Sequence, residues 1–256
     1  MLPKQSFRIK VSILLGITLL AVLGIAAVPA IAQEQGYHHF ADQKTVLGIP
    51  NFWNVVSNVP FLIIGAMGIN GVIRKNRFTM LPEILPAYLA FFIAIFLIGI
   101  GSGYYHLWPS NETLVFDRLA MAVAFMAFFT IIISEFISEK VGKQLFLPLL
   151  LFGLFSVGYW HVTELKGEGD LRLYVLVQFL PMLLIPLILL LFSSRFSHIA
   201  LLWTALFAYL ISKIAEMTDE ILYLSLADVS GHSLKHLFAA LSAYLFFLAL
   251  QKRAPI

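Results

Sequence analysis

The chain has no cysteine among its 256 residues, only 12% charged side chains, and no run of basic residues. Without cysteine there are no disulfides and no thiolate metal ligands, so a transition metal would have to be held by histidine and oxygen. The share of charge is about half that of an ordinary soluble domain, which argues against a water-facing globular fold. The net charge of +3 is scattered over the segments between apolar runs, which leaves no footprint for nucleic acid. Hydrophobic residues make up 60% of the chain, 23 of them phenylalanine, and they gather in long runs. Those runs approach the ~20 residues that span a bilayer. The expectation is an all-α, multi-pass integral membrane protein with the lipid bilayer as its solvent.

The first run follows Lys4, Arg8 and Lys10, extends from Val11 to Val28, and is followed by Ala30-Ile31-Ala32. This is the order of a signal peptide with a small-x-small cleavage pattern, although the apolar stretch is long enough for an uncleaved signal anchor. Residues 1–32 are therefore read as signal peptide or anchor, and residues 33–53 as an extracytoplasmic segment. Seven further runs occupy residues 54–250: roughly Asn54–Ile73, Ile84–Tyr105, Phe116–Phe136, Leu145–His161, Arg172–Phe192, Ile199–Met217 and His232–Leu250. Short connections between them favour antiparallel neighbours in a seven-helix bundle. Residues 251–256 form a short tail.

Basic residues mark alternate connections: Arg74, Lys75 and Arg77, then Lys140 and Lys143, then Arg195, then Lys252 and Arg253. The other connections hold Lys44 and Lys166, Arg172 at a boundary, and the acids Glu112, Glu164, Glu168, Asp170, Asp219, Glu220 and Asp228. The positive-inside rule then places residue 33 outside and the C-terminus in the cytoplasm. Pro181 and Pro186 should kink the fifth of the seven runs and help to shape an intramembrane cavity.

Alternation of the runs brings three histidines to one depth. His106 ends the second run, and His232 and His236 open the seventh, all near the extracytoplasmic face. The i, i+4 spacing of the last two puts both imidazoles on one helix face. Three histidines with an open position describe a catalytic zinc site, which acidifies a water to a pKa near ~7. Ser102 lies one turn before His106, and Asp117 opens the third run. Asp117 is a candidate general acid/base, and Ser102 a hydrogen-bond donor to water or an oxyanion. Ionisable groups are costly in hydrocarbon, so their clustering argues for function. A site at this depth suits a membrane lipid entering sideways.

The remaining polar residues admit plainer readings. Lys213 and Glu216, three apart on the sixth run, can pair with each other, and Asp219 and Glu220 can border the mouth of the site. Asn54, Ser57 and Asn58 can join helices by hydrogen bonds. Tyr104, Tyr105 and Trp108 look like an interfacial belt. Asp170 and Arg172 flank a helix start. His38, His39, His161 and His198 lack the partners of the other three and are read as loop or interface residues.

Three motifs, Gly101-Ser102-Gly103-Tyr104-Tyr105-His106, Asp117-Arg118-Leu119-Ala120-Met121 and His232-Ser233-Leu234-Lys235-His236, resemble the alkaline ceramidase family. That family belongs to a seven-helix superfamily that includes the adiponectin and progestin receptors. Asn51-Phe52-Trp53-Asn54-Val55-Val56-Ser57-Asn58 also resembles the approach to the family's first helix. The resemblance implies zinc on His106, His232 and His236, with Asp117 and Ser102 around the water. It also implies hydrolysis of a ceramide-like amide. The signal-like start and compact loops fit a bacterial relative.

The departure lies upstream, where eukaryotic relatives carry an acidic calcium site ending in glutamate and this chain has Asn51. Asp42 alone is a weak ligand set for an ion that takes six to eight oxygens, so calcium is doubtful. The alternative class is a receptor or sensor with structural zinc and little turnover; lack of a sizeable soluble tail counts against it. A transporter, suggested by Lys213 and Glu216, ranks below both because the runs show no inverted repeat.

Overall fold

In hydrocarbon the backbone amides can be satisfied only within the segment or by a closed barrel, so apolar runs of this length become helices. The computed structural model describes residues 4–74, 77–226 and 229–256. Lys75 and Asp228, counted above among the loop charges, lie outside the described residues, as do residues 1–3. Among the described residues, eight helices are long and apolar enough to cross a membrane. Extended pairing there is limited to two isolated bridges. The fold is all-α.

The elements are α1 (Lys4–Ala27), α2 (Phe52–Val56), α3 (Val59–Ile73), α4 (Leu85–Leu107), α5 (Asn111–Ile132), α6 (Glu139–Leu165), α7 (Arg172–Leu191), α8 (Ile199–Met217), α9 (Asp219–Ser225) and α10 (Gly231–Lys252). The centre is made by α4 and α5 packed together, with α3, α6 and α7 around them, while α10 lies between α8 and α3. The first apolar run, α1, lies outside against α7. Leu14 is its one buried residue among those described.

The sequence did not foretell three local features. The run beginning at Asn54 is broken at Ser57 and Asn58, whose side chains donate to the Asn54 carbonyl at 3.2 and 2.8 Å. Such bonds compete with the helical ladder, and Pro60, lacking an N–H, cannot rejoin it. A short helix, α9, follows α8. Beyond Ile132, α5 continues as a π turn over Ile133–Ile137 that carries Glu135 into the core. Helix α7, in contrast, is continuous through both Pro181 and Pro186.

The basic connections meet at one end of the bundle. Lys143 pairs with Glu83, Arg195 with Glu139, and the backbone N–H of Ile256 donates to the Arg195 carbonyl. The tail is not a loose topological signal, because Arg253 is folded inward. Its guanidinium grips Glu135 through both carboxylate oxygens at 2.7 and 2.9 Å and donates to the Thr79 carbonyl at 2.7 Å. The Tyr88 hydroxyl donates to the same carboxylate, and Arg253 stacks over Phe196.

The opposite end gathers residues 28–51 and the connections after α4, α6 and α8. There Asp170 receives Arg172 through paired bonds, and this partner holds its carboxyl down to about 2. Arg172 also donates to the Val28 carbonyl, and the Leu171 N–H to that of Ile31, so the stretch after α1 is tied to the bundle.

Both charges of the Glu135–Arg253 pair are buried, so removing one strands the other. We expect Arg253→Ala to cost roughly 3–5 kcal/mol, while Arg253→Met with Glu135→Leu costs far less. Thermal unfolding in detergent checks this: a near wild-type melting temperature for Arg253→Ala alone would contradict it.

Candidate metal centre

Helix geometry converges the three histidines. His106 is the penultimate residue of α4, while His232 and His236 sit on the first two turns of α10. Close approach of α4 to α5 depends on Gly101, where a Cβ would strike the Phe116 carbonyl. That approach sets Ser102 and Asp117 side by side. At the start of α10, Ser230 accepts from the backbone N–H of His232 and Ser233. Asp219 also accepts from the His232 N–H, at 2.9 Å, and its other oxygen accepts from the Ala41 N–H at 3.0 Å.

All three imidazoles are buried, and one nitrogen from each lies within 4.8 Å of the others. Nε2 of His106 and Nε2 of His236 are 3.2 Å apart. A tetrahedral zinc site with Zn–N bonds of about 2.0–2.1 Å has N···N edges of about 3.3–3.4 Å. Nε2 of His232 is buried with no hydrogen-bond partner, as is Nδ1 of His106. An orphaned imidazole nitrogen beside two converging ones is the donor set a divalent metal satisfies. The residues present fit such an ion.

Ser57 Oγ and the Asn58 amide nitrogen approach Nδ1 of His236 at 2.8 and 3.3 Å, and the shorter contact favours one ring form. Ser57 Oγ donates to the Asn54 carbonyl, which leaves it to accept from Nδ1–H of His236 at 2.8 Å. Nε2 of His236 is then the nitrogen with a free lone pair, facing His106. Asn54 extends the support by accepting from Ser233 Oγ at 2.9 Å, and Asn51 donates to the His106 carbonyl at 2.9 Å. Phe40 lies across the rings of His106 and His232, at 4.6 and 4.8 Å between centroids.

Ser102 and Asp117 are both buried, and Asp117 lies within electrostatic reach of Lys235, Arg118 and Ser102. Together with His236 they line one end of a cavity of about 140 Å³. The rest of its wall is overwhelmingly apolar, including Phe91, Phe128 and Phe246. Lys213 and Lys235 complete the polar end. Lys213 pairs with Glu216 as expected, at 2.7 Å, and Lys235 joins the same carboxylate at 2.5 Å. The structure thus brings together all five residues singled out in the sequence and adds Lys235. As an ionisable residue between two histidines on an apolar helix, Lys235 had a legible signal.

One reading is corrected. Tyr105 is not part of an interfacial belt: it is wholly buried between Phe40 and His106, while Tyr104 and Trp108 stay exposed. His38 stays outside the histidine cluster, as expected, and is held in its connecting segment by hydrogen bonds. Asn111 donates to Glu164 at 2.9 Å, which turns its carbonyl oxygen toward Nε2–H of His38 at 2.9 Å. Nδ1 of His38 must then accept from the Tyr105 hydroxyl, also at 2.9 Å. Beside it Tyr37 donates to Glu216, and burial first, then that carboxylate, push the Tyr37 phenol well above its ordinary range. Segment 37–42 is thereby strapped over the histidines.

The Ceramidase family model matches residues 44–253. The chain belongs to the ceramidase family. Membership implies a hydrolase of lipid amides, in keeping with three buried histidines that can hold a metal beside an apolar cavity. Its multiple membrane-crossing helices suit a lipid substrate. Comparison with curated proteins found no match. The matched span begins after Phe40 and Asp42, so the strap over the histidines lies wholly outside it.

If Ser57 orients His236, Ser57→Ala should weaken metal binding about 10- to 100-fold without unfolding the protein. Competition with a fluorescent chelator measures this, and an unchanged affinity would remove Ser57 from the support of the site.

Proposed function

We propose that this protein is a zinc-dependent intramembrane hydrolase that cleaves the amide bond of a ceramide-like membrane lipid. The observation carrying the proposal is the convergence of three buried histidines with Ser102 and Asp117 at the polar end of an apolar cavity. His106, His232 and His236 would hold the metal. Zinc, when bound, supplies Lewis acidity to a carbonyl and to water.

The chain's own residues supply the rest. The Asp117 carboxylate accepts a proton from the attacking water and returns it to the departing amine, for which a negatively charged oxygen at this depth is suited. Ser102 donates a hydrogen bond that orients Asp117 or steadies the oxygen on which charge develops. The phenylalanine-lined part of the cavity accepts an acyl chain, since its wall offers that chain the same apolar surroundings as the bilayer. Phe40 and Tyr105, packed over the histidine rings, restrict bulk water on the side away from the cavity. The lipid then arrives from the bilayer.

The topological reading completes the proposal. Residues 1–32 act as signal peptide or anchor, residues 33–53 lie outside, residues 54–250 form the seven-helix domain, and residues 251–256 end in the cytoplasm. The site then faces the extracytoplasmic side. Gathering of the basic connections at one end and of the histidines at the other supports this orientation.

Asp117→Asn keeps the size and removes the base. With a panel of lipid amides and purified protein, we expect hydrolysis to fall at least ~100-fold while metal content and melting temperature stay near wild type. Full activity in Asp117→Asn would overturn the assigned role. Metal retained with no turnover of any amide in the wild type would favour a sensor instead.

A further inference from the structure

Glu216 is shared by two ammonium groups. Lys213 and Lys235 have side chains only 18% and 12% exposed, and the Glu216 side chain is 18% exposed. Among the described residues each lysine donates one hydrogen bond, in both cases to Glu216. Tyr37 donates to this carboxylate as well, from 3.4 Å. An ammonium has three N–H donors, so donors remain on both lysines, and both side chains line the cavity. The three-residue cluster carries one net positive charge. Asp117 is the next carboxylate: it attracts both lysines through space, with Lys235 its foremost charged neighbour, but among the described residues it hydrogen-bonds to neither. Buried ammonium groups with spare donors are costly unless an anion completes them.

The anion has a definable chemistry. Beyond its polar end, where Ser102, Asp117 and His236 also lie, the cavity that these lysines line is mostly apolar and continues past Phe91, Phe128 and Phe246. A soluble anion would gain nothing from that wall, whereas an acyl chain would.

We propose that Lys213 and Lys235 form an anion subsite for the carboxylate of a single-chain lipid whose tail lies in the cavity. The carboxylate has two sources, and naming them rests on the hydrolase reading. It belongs either to the amine part of the substrate, as in an N-acyl amino acid, or to the fatty acid released by hydrolysis. Glu216 competes with it intramolecularly. Removing Glu216 should therefore strengthen binding of the carboxylate, and removing one lysine should weaken it. A purely structural cluster predicts no such opposition.

The test uses the detergent-solubilised full chain and two matched pairs. The first pair is N-oleoylserine against N-oleoylserinol, compared by kcat/KM; the second is oleate against oleyl alcohol, compared by the ligand-induced shift in Tm. In the wild type the carboxylate should be favoured roughly ten- to hundredfold in at least one pair, the size of one or two charge-assisted hydrogen bonds. Lys213→Met, which leaves a neutral Lys235–Glu216 pair, should erase that preference, and Glu216→Gln should enlarge it. Preference in the first pair identifies an acidic substrate, and preference in the second alone identifies the released acid; either supports the subsite.

Hydrolysis of both amides with no preference in either pair, or the same response in both variants, would overturn it and leave the hydrolase reading intact. Discrimination of oleate with neither amide cleaved would support the subsite and count against the hydrolase reading. If Lys213→Met fails to fold, Lys235→Met carries the same expectation, because Lys213 still holds Glu216.

Discussion

A polar side chain among hydrocarbon-facing helices must find its partner inside the protein, because lipid tails offer none. This constraint shapes both ends of the bundle. At the basic end, Glu135 enters the core only because a π turn aims it at Arg253, with Tyr88 and Thr79 taking the remaining bonds. The last residues are folded in as a consequence. At the opposite end the same constraint organises a site, with one difference. There the bonding is left incomplete at His232 Nε2, His106 Nδ1 and the lysine ammoniums. Incomplete bonding in a buried place is where a metal and a ligand belong.

The site is held by hydrogen bonds among neighbours that carry no metal. Asn51 fixes the carbonyl of His106, Asp219 and Ser230 fix the start of α10, and Ser57 selects the ring form of His236. The break between α2 and α3 serves this arrangement. The bonds from Ser57 and Asn58 to the Asn54 carbonyl interrupt the helix, and they also leave Ser57 as an acceptor for His236. A local departure from helical regularity thus becomes part of the support of the centre.

Much of this was legible in the sequence for a physical reason. Hydrophobic runs in a bilayer have one main solution, so the helices and their alternation followed from composition. Alternation in turn brought His106, Ser102, Asp117, His232 and His236 to one depth. Features set by side-chain bonding across long separations were hidden. Tyr105 reads as a belt residue until Phe40, far earlier in the chain, is seen to pack against it. His38 finds its partners on two different helices. Lys235 stands out as an ionisable residue on an apolar helix, but its partner Glu216 is set only by the approach of α8. The π turn has no local sequence signal that sets it apart from the rest of α5.

The central claim is that three buried histidines make a metal centre. Elemental analysis of the detergent-purified protein, wild type beside His232→Ala/His236→Ala, tests it most directly. The account predicts about one equivalent of zinc per folded chain, lost in the double variant. A well-folded wild type without metal, or a double variant that keeps it, would contradict the account.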